Sequence, residues 1–107
     1  MGIKQYDILL VNLDPTIGSE IKKTRPCLVV SPNEMNQNLK TVVIAPMTTT
    51  IKNYPTRVKV NFEKKEGRIA IDQLRTIDNR RIIKSLGKIS TVEIKEVKRI
   101  IQITFVE

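Results

Sequence analysis

The 107-residue sequence contains no His, no Trp and a single Cys, and aromatic residues make up only 4% of it. The absence of His excludes His-based acid–base pairs and most zinc sites, which depend on imidazole. One Cys cannot form an internal disulfide, and this fits a reducing compartment such as the cytoplasm. The shortage of aromatic rings argues against a surface that binds nucleic acid mainly by base stacking.

The length allows one hydrophobic core and therefore predicts a single domain over residues 1–107. Apolar residues are 40% and charged residues 28% of the chain, a balance typical of a folded domain. The size excludes a two-domain enzyme, a Rossmann dehydrogenase and a solenoid. The apolar run at residues 8–11 is too short for a signal peptide or a membrane span, so we expect a cytoplasmic protein.

The charge is strongly unbalanced. Lys and Arg number 19 against 11 Asp and Glu, which gives a net charge of +8 and an isoelectric point near 9.9. So much positive charge on a small surface attracts polyanions, with nucleic acid the first candidate and an anionic membrane the second. Charge alone is equally consistent with a role in solubility.

Short runs rich in Val and Ile predict about six strands, at residues 6–13, 27–31, 41–47, 57–62, 68–74 and 82–87. The second and third runs are apolar throughout, which is typical of strands buried on both faces. In the fourth run Val58, Val60 and Phe62 alternate with polar residues, which indicates one exposed face. Strands of this length and spacing favour a small barrel or sandwich.

The C-terminal segment has a different pattern. Ser90 and Glu93 have the spacing of a capping box, and apolar residues follow at helical intervals, at Val97, Ile100 and Ile101. We predict an amphipathic helix over residues 91–104, packed on the strands. The fold class is thus mainly β with one C-terminal α-helix.

Three segments carry residues suited to chemistry. The loop at residues 14–25 is long for a small barrel, and Arg25 precedes a proline, which biases it toward extended backbone at the mouth of a strand. Thr48 and Thr49 end the third strand, where hydroxyls can donate to a phosphoryl oxygen or form an ordinary turn. Asp72 lies among apolar residues and needs a partner, for which Arg25 or Arg75 is available.

Taken together, several motifs resemble the MazF/PemK/Kid family of toxins. The motifs follow in the family's order and with its spacing, at residues 12–16 (NLDPT), 18–20 (GSE), 25–26 (RP), 29–32 (VVSP), 46–49 (PMTT) and 72–78 (DQLRTID), and the resemblance covers essentially the whole chain. The resemblance implies a small SH3-like barrel of the CcdB/PemK type that forms a homodimer. It implies an endoribonuclease without a metal or other cofactor, which cuts single-stranded RNA at short sequences and leaves a 2′,3′-cyclic phosphate and a 5′-hydroxyl.

The resemblance also implies a partner. Toxins of this family belong to type II toxin–antitoxin systems and are inhibited by a cognate antitoxin with an acidic, disordered tail, which would suit a +8 surface. Contact with DNA would be indirect, through that antitoxin.

The resemblance assigns roles to individual positions. Arg25 and Thr48 match the family's catalytic positions, Glu20 matches an acidic position of the first loop, and Asp72 matches a carboxylate that is catalytic in the Kid branch. Kid-type enzymes carry a His at the position of Ser19 and an Arg at the position of Ala70, so the MazF-like arrangement fits better. Ser19 and Thr49 are accessory candidates.

These residue types suit RNA cleavage through the 2′-hydroxyl. Glu20 is a candidate base, Arg25 a candidate phosphate clamp and Thr48 a candidate donor to a non-bridging oxygen. Backbone binding is expected from the basic residues Lys22, Lys23, Lys52, Arg57, Arg75, Arg80 and Arg81.

Two other functions remain open from the sequence. A gyrase poison of the CcdB type shares the fold, but such toxins use a Trp-Gly-Ile C-terminus whereas this chain ends in Phe105, Val106 and Glu107. A non-catalytic barrel that binds nucleic acid would explain the charge alone.

Overall fold

The computed structural model describes residues 2–21, 23–49 and 54–106. Within them the chain forms seven strands, two α-helices and two 3₁₀ turns. In chain order these are β1 (Asp7–Asn12), β2 (Thr24–Val29), α1 (Asn33–Asn38), β3 (Thr41–Thr48), β4 (Arg57–Phe62), β5 (Lys65–Ala70), a 3₁₀ turn (Ile71–Gln73), β6 (Arg75–Asp78), a second 3₁₀ turn (Asn79–Arg81), β7 (Ile82–Lys88) and α2 (Thr91–Phe105).

The strands form one curled antiparallel sheet, a half-barrel, in the order β4-β5-β3-β2-β1-β7. One edge of strand β3 pairs with β2, and the other edge is shared between two partners. Residues 41–44 pair with β6, whereas Met47 and Thr48 pair with β5. The C-terminal end of β3 therefore lies where the sheet changes partner, next to the first 3₁₀ turn.

Two apolar clusters fill the two sides of the curl. One includes Ile8, Leu28 and Ile69 and is covered by α2; the other includes Leu9 and Cys27. Because residues of β2 and β3 enter both clusters, both faces of these strands are buried, as their apolar sequence predicts.

The C-terminal helix begins at the predicted capping box. The Glu93 N–H donates to the Ser90 hydroxyl at 3.2 Å, and the Ser90 N–H donates to the Glu93 carboxylate at 2.9 Å. The same carboxylate accepts the Asn61 N–H at 2.8 Å and so fixes the helix start against β4. Val97 and Ile100 are buried. The predicted fold class, mainly β with a C-terminal helix, is confirmed.

The local predictions need three corrections. Helix α1 was not predicted, because its six residues carry no apolar period; its buried Asn36 is fixed instead by polar contacts with Ser31. The predicted strand at 68–74 is β5 followed by a 3₁₀ turn, and β6 is a separate short strand. Strand β2 begins at Thr24, so Arg25 lies inside the strand rather than before it.

None of the helices in the described residues is long and apolar enough to cross a membrane.

Candidate active site

Strand pairing brings the two principal candidates together. The register of β2 and β3 pairs Cys27 with Pro46, and the same register continued by two residues sets Arg25 opposite Thr48. Residues directly opposite each other in an antiparallel sheet project to the same face. Arg25 is partly buried and Thr48 is buried. Two residues 23 positions apart in the sequence therefore become cross-strand neighbours.

The first loop, residues 13–23, is attached to the rest of the fold at both ends. The guanidinium of Arg75 donates to the Leu13 carbonyl at 2.7 Å, and the Ile21 N–H donates to Gln73 Oε1 at 2.9 Å. Arg81 donates to the carbonyls of Asn12 and Asp14. The loop is thus positioned by the segment that follows β5.

A groove of about 580 Å³ opens between this loop and the first 3₁₀ turn. Its volume is within the range of ordinary ligand clefts. Both candidate carboxylates and one accessory candidate lie in its walls. The lining residues are Leu13, Pro15, Ile17, Ser19, Glu20, Ile21, Pro46, Asp72, Gln73, Leu74 and Arg75. Since Pro46 is two residues before Thr48 in β3, the groove adjoins the Arg25–Thr48 pair.

Glu20 is placed by a tight turn within the first loop. Its carboxylate accepts the Ile17 N–H at 2.7 Å, and its own N–H donates to the Ile17 carbonyl at 3.3 Å. Gly18 inside this turn has a φ of +62°, a conformation that favours glycine. The turn presents an exposed carboxylate at the groove.

The predicted partners of Asp72 are wrong. Its carboxylate pairs with Arg57, at 3.0 Å from Nε and 3.3 Å from Nη2, and also accepts the Thr56 hydroxyl at 3.0 Å. The reason is register: Arg57 pairs with Ala70 across β4 and β5, which places it beside Asp72. Partial burial raises the pKa of Asp72, but the hydrogen bonds from Arg57 and Thr56 outweigh this and leave it below its usual value.

Arg57 is therefore engaged on two sides. Besides its bond to Asp72, its guanidinium lies 5.2 Å from the centre of the Tyr54 ring, and its side chain is only 11% exposed. In this Tyr54–Arg57–Asp72 cluster, Arg57 contacts both of the other side chains, and Asp72 lines the groove.

The basic residues predicted to bind RNA belong to several separate segments of the chain. Lys22 and Lys52 lie outside the described residues. Lys23 is exposed on the first loop, and Arg75 lines the groove. Arg80 pairs with Asp78, and both residues line a second pocket together with Lys40. The accessory candidate Thr49 is exposed directly after β3.

Sequence reasoning missed a buried cation beside Thr48. Arg68 is only 7% exposed and pairs directly with Thr48 across β3 and β5. Its Nη1 lies 3.2 Å from the Glu66 carboxylate and donates to the Gly67 carbonyl at 3.3 Å. Extending the alternation of Ala70 and Asp72 back by two residues would have placed Arg68 on their face.

Cys27 is a poor nucleophile in this setting. Burial raises the pKa of its thiol to about 12, although the charges of Arg25 and Arg75 act in the opposite direction. The thiol is therefore protonated near neutral pH, as expected for a small buried apolar residue. Within the described ranges, no group of three or more His, Cys, Asp and Glu side chains is arranged to bind a metal ion.

The half-barrel with a C-terminal helix is the fold that the sequence motifs imply for a small toxin. The chain belongs to the PemK-like, MazF-like toxins of type II toxin–antitoxin systems, whose family model matches residues 4–105. The family predicted from the motifs is thereby confirmed.

Individual relatives agree with this assignment. The chain is 31% identical to a protein named endoribonuclease MazF from Staphylococcus saprophyticus, over 95% of this chain and 90% of the relative. The crystal structure of MazF (Form-I) from Deinococcus radiodurans superimposes with a TM-score of 0.84 at 25% identity, over 95% and 94% of the two chains. An endoribonuclease in complex with its cognate antitoxin, from a mycobacterial species, shares the fold with a TM-score of 0.80 at 20% identity, over 94% and 92%.

Proposed function

We propose that this protein is the toxin of a type II toxin–antitoxin system and cuts single-stranded RNA, including mRNA, at specific sequences without a metal ion. The observation that carries the proposal is the register of β2 and β3, which, continued two residues beyond the Cys27–Pro46 pair, sets Arg25 opposite Thr48. Pro46 also lines the groove that contains Glu20 and Asp72. The name of the staphylococcal relative, an endoribonuclease, supports the same activity.

The reaction uses the RNA's own 2′-hydroxyl as the nucleophile. That hydroxyl loses its proton and its oxygen forms a bond to the adjacent phosphorus. The bond from phosphorus to the 5′-oxygen breaks, and the 5′-oxygen takes up a proton. The products are a 2′,3′-cyclic phosphate and a 5′-hydroxyl, so no external nucleophile is consumed. DNA is resistant because it lacks the 2′-hydroxyl.

Arg25 and Thr48 stabilise the charge that builds on the phosphoryl oxygens. The planar guanidinium offers two parallel donors to two oxygens, and the Thr48 hydroxyl offers a third donor from the neighbouring strand. Donors fixed in advance by a sheet need no reorganisation when the charge appears, which is why they lower the barrier.

Glu20 is the better of the two carboxylates for the role of base. The lowered pKa of Asp72 makes that group a weak proton acceptor, and its oxygens are engaged by Arg57 and Thr56. Glu20 has an exposed carboxylate on the groove, where it can reach a substrate hydroxyl. Asp72 then positions Arg57, while Ser19 and Thr49 supply accessory hydrogen bonds to the substrate.

Electrostatic attraction to the phosphates supplies most of the affinity for RNA. A net charge of +8 attracts the phosphate backbone. Arg75 lines the groove, Lys23 is exposed on the first loop, and Lys22 and Lys52 stay candidates from the sequence. The affinity should fall as salt rises. Base selection would come from polar and backbone groups along the same groove.

We further propose a homodimer in the cytoplasm, inhibited by an acidic antitoxin. Three exposed apolar residues at the end of α2, Ile103, Phe105 and Val106, support a surface that another chain covers. The structural neighbour solved with its cognate antitoxin supports the second partner. Sedimentation of the pure protein would measure the dimer, and titration with the antitoxin should abolish cleavage.

The decisive assay incubates the pure protein with a mixed-sequence single-stranded RNA in EDTA, beside the Arg25→Ala variant, and maps the ends by primer extension. We expect cleavage at a short recurrent motif by the wild type alone. A folded wild-type protein that leaves a broad RNA pool intact would contradict the proposal, and gyrase supercoiling would then be measured.

A further inference from the structure

The buried guanidinium of Arg68 has no role in the mechanism above. A buried cation is costly unless an anion compensates it. Here the anion is Glu66, which also lies 3.1 Å from the ammonium group of Lys59. One carboxylate thus bridges two cations on the same part of the sheet.

Register places these residues in one row. Lys59 pairs with Arg68 across β4 and β5, and Arg68 pairs with Thr48 across β5 and β3. The β2–β3 register continues the row to Arg25. Neighbouring strands are about 4.8 Å apart. The row therefore runs from the Arg25–Thr48 pair across β5 and β4, and all of its side chains project to the same face of the sheet.

The bridging carboxylate is the accessible part of this cluster. The Glu66 and Lys59 side chains are 36% and 62% exposed, whereas the Arg68 side chain beneath them is 8% exposed. Hydrogen bonds from Lys59 and Arg68 keep the pKa of Glu66 below its usual value, so this group is an anion at neutral pH. A phosphate group has the same charge sign and offers the same kind of oxygen acceptors.

We propose that Lys59 and Arg68 form a second phosphate subsite next to Thr48, which binds a backbone phosphate adjacent to the scissile one. Glu66 occupies the subsite in the free protein, and the RNA phosphate replaces its carboxylate on binding. This inference rests on the proposed function, since it requires that RNA lies across the face that carries Arg25 and Thr48. Arg68 is then a substrate-binding residue that fixes the register of the RNA.

The test measures binding without cleavage. The probe is a fluorescent mixed-sequence RNA of 20 nucleotides with every 2′-hydroxyl methylated, so that the nucleophile is blocked. Anisotropy titrations at several NaCl concentrations give the slope of log K against log salt, which changes by about 0.7 for each phosphate contact on a single strand. Arg68→Gln should reduce the magnitude of this slope by about 0.7. It should also weaken binding on the order of tenfold. Glu66→Gln should strengthen binding.

Lys84→Gln provides the matched control. It removes the same charge from β7, at the opposite edge of the sheet, and should leave the slope unchanged. If Arg68→Gln does not fold, the exposed Lys59→Gln replaces it, with the same expected slope.

The outcomes separate this inference from the proposed function. A wild-type protein that cuts RNA while Arg68→Gln or Lys59→Gln has the slope of Lys84→Gln would overturn the subsite alone. A wild-type protein that neither cuts nor binds RNA would overturn both. Weaker binding and a lower slope in the subsite variants, with tighter binding in Glu66→Gln, would establish the subsite.

Discussion

The two faces of the sheet formed by β3, β4 and β5 are built from the same strands and have opposite character. On the inner face Met47 pairs with Ile69, and Ile69 pairs with Val58, all buried in the core. One residue further along each strand, the outer face carries Thr48, Arg68 and Lys59. Because side chains alternate between the faces of a strand, the buried core residues and the polar candidate site residues lie within a few ångströms of each other. A register shift of one residue would exchange the two faces.

Removing the guanidinium of Arg25 tests the outer face most strongly. Arg25→Ala should lower the cleavage rate by about 1,000-fold or more, a loss typical of an arginine that stabilises transition-state charge on phosphorus. Its melting temperature should stay close to that of the wild type, because the residue lies outside both apolar clusters. Single-turnover cleavage and circular dichroism measure the two quantities. Full activity in the folded variant would remove Arg25 from the mechanism.

Shortening an inner-face residue should have the converse effect. Ile69 has no exposed surface, so Ile69→Ala should lower the free energy of unfolding by about 2–5 kcal/mol. The rate per folded molecule should remain near that of the wild type. Urea denaturation and an active-fraction titration measure both. An intact stability with lost cleavage would show that the two faces are not separated in this way.

Removing the hydroxyl of Thr48 from the outer face should lower the cleavage rate less than removing the guanidinium of Arg25. Thr48→Val keeps the shape and removes one donor, and should lower the rate on the order of 100-fold with little change in KM. Thr76→Val, at an exposed position of β6, is the matched control and should cut normally. Equal rates for both variants would exclude a catalytic role for the Thr48 hydroxyl.

The weakest expected effect is the pH dependence of the Asp72–Arg57 pair. Because the folded pKa of Asp72 is lowered, its stabilisation is complete above the unfolded value of about 3.9 and is lost as pH falls through the folded value. For this partly exposed pair it amounts to about 1 kcal/mol or less. Asp72→Asn should melt below the wild type at pH 7, and the gap should close toward pH 2. A gap that is constant with pH would contradict the assignment.

The sequence was most informative where the signal is local. The Ser90–Glu93 capping box and the alternation of Val58, Val60 and Phe62 depend on residues within a few positions, and both are found in the structure. The family resemblance named Arg25 and Thr48, but their proximity depends on the register of two strands joined by α1.

Two of the features that sequence reasoning missed depend on pairing between distant segments. The partner of Asp72 is Arg57 because β4 and β5 align it there, and charge alone gave no reason to prefer it over Arg25 or Arg75. The burial of Arg68 depends on the same alignment, since nothing in an isolated strand distinguishes a covered Arg from a solvated one. Helix α1 has no apolar period to reveal it.

The most direct test of the account uses one RNA oligonucleotide containing the mapped cleavage motif and a second with a single 2′-deoxy nucleotide on the 5′ side of the scissile bond. Both are incubated with the wild-type protein in EDTA, and the ends are analysed by mass spectrometry. The account predicts a 2′,3′-cyclic phosphate and a 5′-hydroxyl from the first, and no cleavage of the second at that bond. Cleavage of the deoxy-substituted RNA at the same bond would contradict attack by the 2′-hydroxyl and the roles given to Arg25 and Thr48.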